Sequence, residues 1–141
     1  GGELIVSNFG SGSISIIETG TNEVSGSYLI GNQPSRGLVT ADNSRVYISN
    51  FGSNSVAVYD IDIGKMIAVL PVGSHPDALA LSQNQNYLLV LDSQSGDVTV
   101  IQKRKPRKLE PTEYSLLTMI PVGSEPNNVV VKSFVVQVPR N

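Results

Sequence analysis

SNFGSGSISII at residues 7–17 returns as SNFGSNSVAVY at residues 49–59 and as LDSQSGDVTVI at residues 91–101, both times after 42 residues. A second block keeps step with the first: GNQPSRGLVT from Gly31, GSHPDALALS from Gly73 and GSEPNNVVVK from Gly123. Its intervals are 42 and 50 residues, so eight extra residues enter the last copy, within QKRKPRKLEPTEYS at 102–115. Taken alone, the Gly-x-Gly core of the first copy suggests a phosphate-cradling loop. That chemistry needs backbone N–H groups converging at a helix N-terminus. Here the loop runs into Ile14-Ser15-Ile16-Ile17, a strand-like run, and the second copy replaces Gly12 by Asn54. Gly and Asn share a tolerance for positive φ, which hairpin turns use. The stretch is a turn, and its information lies in its recurrence.

A period of about 40–45 residues is that of a four-stranded propeller blade. The spacing predicts an all-β propeller of four-stranded antiparallel blades, about three in this chain, as an incomplete ring. Strand a is expected at Leu38–Thr40, Ala78–Ser82 and Val129–Lys132, and strand b at Leu4–Asn8, Val46–Asn50 and Leu88–Asp92. Strand c is expected at Ile14–Ile17, Val56–Tyr59 and Val98–Ile101, and strand d at Ser27–Ile30, Ile67–Val72 and Leu117–Val122. Strand b is apolar on both faces, so both must be covered, as in stacked sheets. Strand c sets large residues (Ile14, Val56, Val98) on one face and small ones (Ser15, Ala57, Thr99) on the other, which lets a neighbouring blade approach. Residues 1–141 read as a single propeller segment, with repeat units at about 3–36, 37–78 and 79–128 and a C-terminal strand at 129–138.

Composition agrees with this class. The chain has 141 residues, 40% of them hydrophobic and 16% charged, which places it among globular domains. Its 13 glycines and 8 prolines suit frequent turns. Only Thr112–Ile120 has any helical reading. A net charge of −2 gives no global attraction to nucleic acid or anionic membrane, and the absence of cysteine excludes disulfides and thiolate chemistry. No apolar run approaches the ~18 residues of a membrane span.

The segment RVYISNFGSNSVAVYDIDIGKMIAVLPVGSHPDALALS, residues 45–82, resembles the YVTN-type β-propeller repeats. The strand ending VYISN, the following NSVAVYD and the closing LPVGSHPDALALS occur in the order of that family's consensus. The resemblance implies four antiparallel strands per blade and an exported, periplasmic or cell-surface location. Closed propellers run from about four to eight blades, so three wedges leave two apolar flanks. Ring completion is expected from the rest of a longer chain or, as the alternative, from a second copy giving six blades.

Candidate contacts lie in the d–a connections, at the rim where propellers bind ligands: Asn32, Gln33, Arg36, Ser74, His75, Asp77, Glu125, Asn127 and Asn128. His75 is the only histidine, but no nucleophile-elbow sequence accompanies it, and Gln33 and Glu125 hold its repeat position. It therefore reads as a ligand or partner contact, with no catalytic residue, metal or cofactor expected. Asp60 and Asp62 read as turn formers after strand c. Lys103, Arg104, Lys105, Arg107 and Lys108 form a basic loop on the opposite face from His75. A solvated outer loop is the expected role, since Tyr114 alone offers base stacking. The residues point first to a non-enzymatic binding or scaffold propeller with a protein or small-ligand partner. A propeller-type hydrolase or lactonase is the alternative, and nucleic-acid binding through the basic loop a weaker one.

Overall fold

The computed structural model describes residues 1–105, 107 and 109–132. Strands β1 (Glu3–Asn8), β2 (Ser13–Glu18) and β3 (Glu23–Leu29) form a three-stranded antiparallel sheet in that order. Strands β4 (Pro34–Val39), β5 (Arg45–Asn50), β6 (Ser55–Asp60) and β7 (Lys65–Pro71) form a four-stranded meander. A second meander comprises β8 (Pro76–Leu81), β9 (Tyr87–Asp92), β10 (Asp97–Arg104) and β11 (Glu113–Pro121). The three sheets are successive blades of an incomplete propeller, all-β throughout the described residues.

The repeat fixes even the irregularities. Strand d is bulged at Ser25, Ile67 and Leu117, opposite Ile16/Ile17, Val58/Tyr59 and Val100/Ile101 of strand c, the same position in each blade. Strand a is bulged at Pro34/Arg36 and Pro76/Ala78. Bulges bend a strand and raise its twist, so equal bulges give wedges of equal shape. The inner strands begin at Pro34 and Pro76, earlier than the expected Leu38 and Ala78.

Two apolar seams hold the wedges together. Ile14, Ile16 and Ile30 of the first blade pack against Val46, Ile48, Ala57 and Tyr59 of the second. Tyr47, Val56 and Val58 on the other face of the second blade pack against Leu88, Val90 and Ile101 of the third. The middle blade is thus covered on both sides, and every residue of β6 is buried. Each fully buried Val, Leu or Ile contributes roughly 1.5–3 kcal/mol, so the seams, not the turns, carry the stability.

Thr112–Ile120, the one stretch with a helical reading, is strand: Glu113–Pro121 is β11, paired with β10, and covers most of the expected strand d at Leu117–Val122. The inserted residues lengthen this hairpin, with Lys103 opposite Tyr114 and Arg104 opposite Glu113. The extra length delivers Tyr114 to Tyr47 of the neighbouring blade, with rings edge to face at 6.2 Å and hydroxyls 3.3 Å apart. Of the expected C-terminal strand at 129–138, residues 129–132 are described and form no ladder with the described strands. An inner strand needs the b-strand of its own blade, and none follows among the described residues. The rest of that stretch, and the tail to residue 141, lie outside the described residues.

Candidate active site on the inner-strand face

In the second and third blades the b–c turn is tied to the d–a connection that precedes the blade. The N–H groups of Phe51 and Gly52 donate to the carbonyls of Gln33 and Asn32, each at 3.0 Å. Those of Ser93 and Gln94 donate to His75 and Ser74 at 2.9 and 3.1 Å. All three connections contain a left-handed bend, whether or not a described turn is paired to them: φ is 53° at Gln33, 56° at His75 and 50° at Glu125. Non-glycine residues seldom adopt such values. The three positions share one repeat slot, each followed by proline.

Under the bend lies a buried polar residue at the end of strand b. In the second blade, Asn50 Nδ2 donates to the Ile30 carbonyl at 2.8 Å and to Ser55 Oγ at 3.1 Å. In the first blade, Asn8 Nδ2 donates to Ser13 and Ser15. The third blade has Asp92 in this slot, fully buried, accepting from Thr99 Oγ1 at 2.5 Å while its Oδ1 has no partner. Burial pushes the Asp92 carboxyl up to about 7, opposed by the Thr99 hydrogen bond and reinforced by neighbouring Asp97.

Beyond the bend the chain enters the inner strand, and there the charged candidates meet. Arg36 on β4 and Asp77 on β8 approach to 3.7 Å between Nε and Oδ1. They line a cavity of about 600 Å³ together with Gly37, Ala78, Leu79, Asn127 and Asn128. The Arg36 side chain is 64% exposed and that of Asp77 28%. A pair so open to water contributes at most about 1 kcal/mol, so a ligand can engage either partner at small cost.

The other candidates sit apart from that cavity. The His75 ring stacks on Phe51, with centroids 4.4 Å apart and planes 20° apart, and the His75 backbone N–H donates to Asn54 Oδ1 at 3.1 Å. Asn32 and Gln33 line a separate groove with Phe9, Leu29 and Gly52. Ser74 N–H donates to Ser95 Oγ at 3.0 Å. Glu125 lines a third groove with Gln94 and Val122. Phe51 was not foreseen as a partner of His75, although its place in SNFG, in register with the d–a loop, was the available signal.

Lys103 and Lys105 line a small cavity of about 170 Å³ with Arg45, Asp42 and Thr112. Burial lowers the Lys103 ammonium, and nearby Asp42 opposes the shift. Arg104 is exposed, and Arg107 pairs with Glu110 at 3.6 Å; Lys108 lies outside the described residues. Asp60 closes its turn by accepting from the Ile63 N–H at 3.1 Å, and pairs with Arg45 at 3.1 Å. Among the described residues no three His, Cys, Asp or Glu side chains cluster closely enough to hold a metal ion.

Similar solved structures show the same architecture. Hydrazine synthase of Kuenenia stuttgartiensis aligns with a TM-score of 0.74 at 24% identity, over 89% of this chain and 34% of that one. A candidate 6-phosphogluconolactonase of Bacteroides fragilis aligns with a TM-score of 0.72 at 16% identity, over 88% and 37%. The periplasmic gluconolactonase of Pseudomonas aeruginosa, PpgL, aligns with a TM-score of 0.67 at 17% identity, over 83% and 36%. At these identities the likeness is one of fold. The chain spans about a third of the length of these three proteins. No curated protein matches the chain. The comparisons favour the lactonase alternative over the non-enzymatic scaffold expected first. A family model described as lactonase, 7-bladed β-propeller, matches residues 3–124, and the chain belongs to that family.

Proposed function

We propose that the chain forms part of a lactone-hydrolysing propeller, with the lactone held against the inner-strand face at Arg36 and Asp77. The match to the lactonase family over residues 3–124 carries this reading, and the open Arg36–Asp77 charge pair supports it. Hydrolysis of a ring ester needs a base for the attacking water and a donor for the oxyanion that forms. Asp77 takes the proton from water as its oxygen bonds the carbonyl carbon. The Arg36 guanidinium, with its fixed fork of N–H donors, faces the developing oxyanion. When the ring C–O bond breaks, Asp77 returns the proton to the leaving oxygen and an open hydroxy acid results. Asn127 and Asn128 offer amides to the hydroxyls of a sugar-derived ring. The YVTN-type character of the repeats and an exported location belong to the same reading.

The test is acid release from glucono-δ-lactone, followed by pH-stat above the spontaneous rate. Turnover that falls about 100-fold in Arg36→Ala and in Asp77→Asn is expected. A folded protein that releases no acid over background overturns the reading and returns the surface to a binding role.

A further inference from the structure

The a–b and c–d turns lie at the sheet ends opposite the d–a bends, because successive strands run antiparallel. There the insertion brings cations of two blades together. β10 and β11 run to eight and nine residues, against six and seven for β6 and β7. Ile101 of β10 packs into the seam with the second blade, and side chains two residues apart share a face. Lys103 therefore turns toward the second blade, with its N–H bonded to the Asn86 carbonyl at 2.7 Å. Opposite it in the ladder, Tyr114 fastens the hairpin to Tyr47 of that blade. The result is the pocket of about 170 Å³ where Arg45 and Asp42 of the second blade meet Asn86, Lys103, Lys105 and Thr112 of the third.

The three cations of this pocket keep donors in reserve. Arg45 Nη1 is engaged by Asp60 Oδ2 at 3.1 Å and by Ser44 Oγ at 3.5 Å, but Arg45 Nε is buried with no partner. A buried N–H without an acceptor is costly, and more so on a charged group. Lys103 and Lys105 form no salt bridge among the described residues. Burial disfavours the Lys103 ammonium, and Asp42 offsets that only in part. Asp42 is committed to its own turn. Its Oδ1 accepts from the Thr40 and Ser44 hydroxyls, each at 2.7 Å, and from the Ser44 N–H at 3.0 Å. Those bonds hold its carboxyl well below the usual carboxylate range. Three cations against the carboxylates of Asp42 and Asp60 leave a net positive charge.

We propose that this pocket binds a small tetrahedral oxyanion, inorganic phosphate or the phosphate group of a monoester, between the second and third blades. Donors reach it from three chain segments: Arg45 at the start of β5, Asn86 just ahead of β9, and the lysines and Thr112 of the inserted hairpin. Oxygens spread tetrahedrally match such an arrangement better than the coplanar oxygens of a carboxylate. Size sets the upper limit. Pockets for drug-sized ligands run to roughly 300–1,000 Å³, so this one takes a single anionic group. The anion supplies the acceptor that Arg45 Nε lacks and balances the charge of the partly buried Lys103. It also ties the inserted hairpin to the neighbouring blade through charge, where Tyr47 and Tyr114 do so through their rings. The site lies apart from Arg36 and Asp77, and it stands whether or not those residues hydrolyse a lactone.

Equilibrium dialysis of the chain against radiolabelled inorganic phosphate, at ionic strength held constant with sodium chloride, tests the proposal. One phosphate per chain is expected, with a Kd on the order of 1 mM or tighter. Lys103→Met, which keeps the aliphatic stem, and Lys105→Gln, at an exposed position, are each expected to weaken binding about tenfold. Arg104→Gln removes an equal charge from an exposed place outside the pocket, and should change affinity less than about twofold. Competition by glycerol 3-phosphate tells the two sources apart: an ester that binds more tightly than the free ion assigns the site to a monoester, and one that binds more weakly assigns it to inorganic phosphate. A wild-type chain that shows no saturable binding up to about 20 mM phosphate overturns the proposal. So does binding that survives both lysine variants, or an equal loss in Arg104→Gln, which marks general attraction to a basic hairpin.

Discussion

The carboxylate of Asp92 lies against Gly73, so that a Cβ on this glycine would stand 2.6 Å from Asp92 Cγ. Asn50 and Gly31 repeat the contact one blade earlier, again at 2.6 Å from Cγ. In these two places the glycine that opens the d–a connection and the polar residue that ends strand b form one interlocked pair. In the third blade that pair contains an ionisable group in a fully buried place, which makes its stability depend on pH.

Asp92→Asn tests this dependence. With its carboxyl raised from 3.8 to about 7 in the fold, Asp92 holds a proton that the unfolded chain releases between those values. Stability therefore falls as pH rises from 4 to 7, by up to about 1.4 kcal/mol per pH unit, and levels off above. Asparagine, the residue of the other two blades, removes this slope. Urea midpoints at pH 5 and pH 8 should converge in Asp92→Asn relative to wild type, with the variant the more stable at pH 8.

Gly73→Ala tests the packing half of the same pair. The new methyl would meet Asp92 Oδ2 and Ser95 Oγ, both at 2.6 Å. Relief requires shifting a buried side chain, at a cost of about 1–3 kcal/mol. Chemical denaturation should show this loss with the m-value unchanged.

His75→Gln and His75→Val separate backbone from side chain at the rim. Gln33 already adopts φ 53° in the equivalent slot, so glutamine should accept the 56° of His75. Its cost is the lost stack on Phe51, about 1 kcal/mol. Valine is β-branched and is strained at positive φ, adding a further 1–3 kcal/mol. The two melting curves should differ in that order.

The repeat made the blade legible because every structural level obeys it. Turn glycines and asparagines, strand bulges and the buried residue after strand b all recur with the 42-residue step that links SNFGSGS to SNFGSNS. The insertion was harder to read. Its lysines, arginines and prolines look like a loop, yet Gln102–Arg104 and Glu113–Ser115 extend a hairpin, because Tyr114 finds a buried aromatic partner on another blade. That partner, Tyr47, is 67 residues away and no local pattern announces it. The site was legible as a set of residues but not as a geometry. Nine candidates in three loops gave no sign that Arg36 and Asp77 would meet while His75 turned toward Phe51. Asp77 is itself the extra residue of the bulge between Pro76 and Ala78, and bulges leave little trace in sequence.

The left-handed bend before each inner strand has a consequence for how such a surface can change over generations. The same bend forms ahead of a proline in all three connections whatever side chain stands in it, and main-chain donors of the adjoining turn brace it in the second and third blades. Gln33, His75 and Glu125 present an amide, an imidazole and a carboxylate from one backbone conformation. Substitution there exchanges chemistry without refolding the loop. The rim is in effect a row of interchangeable sockets, so selection for a new ligand can act one blade at a time.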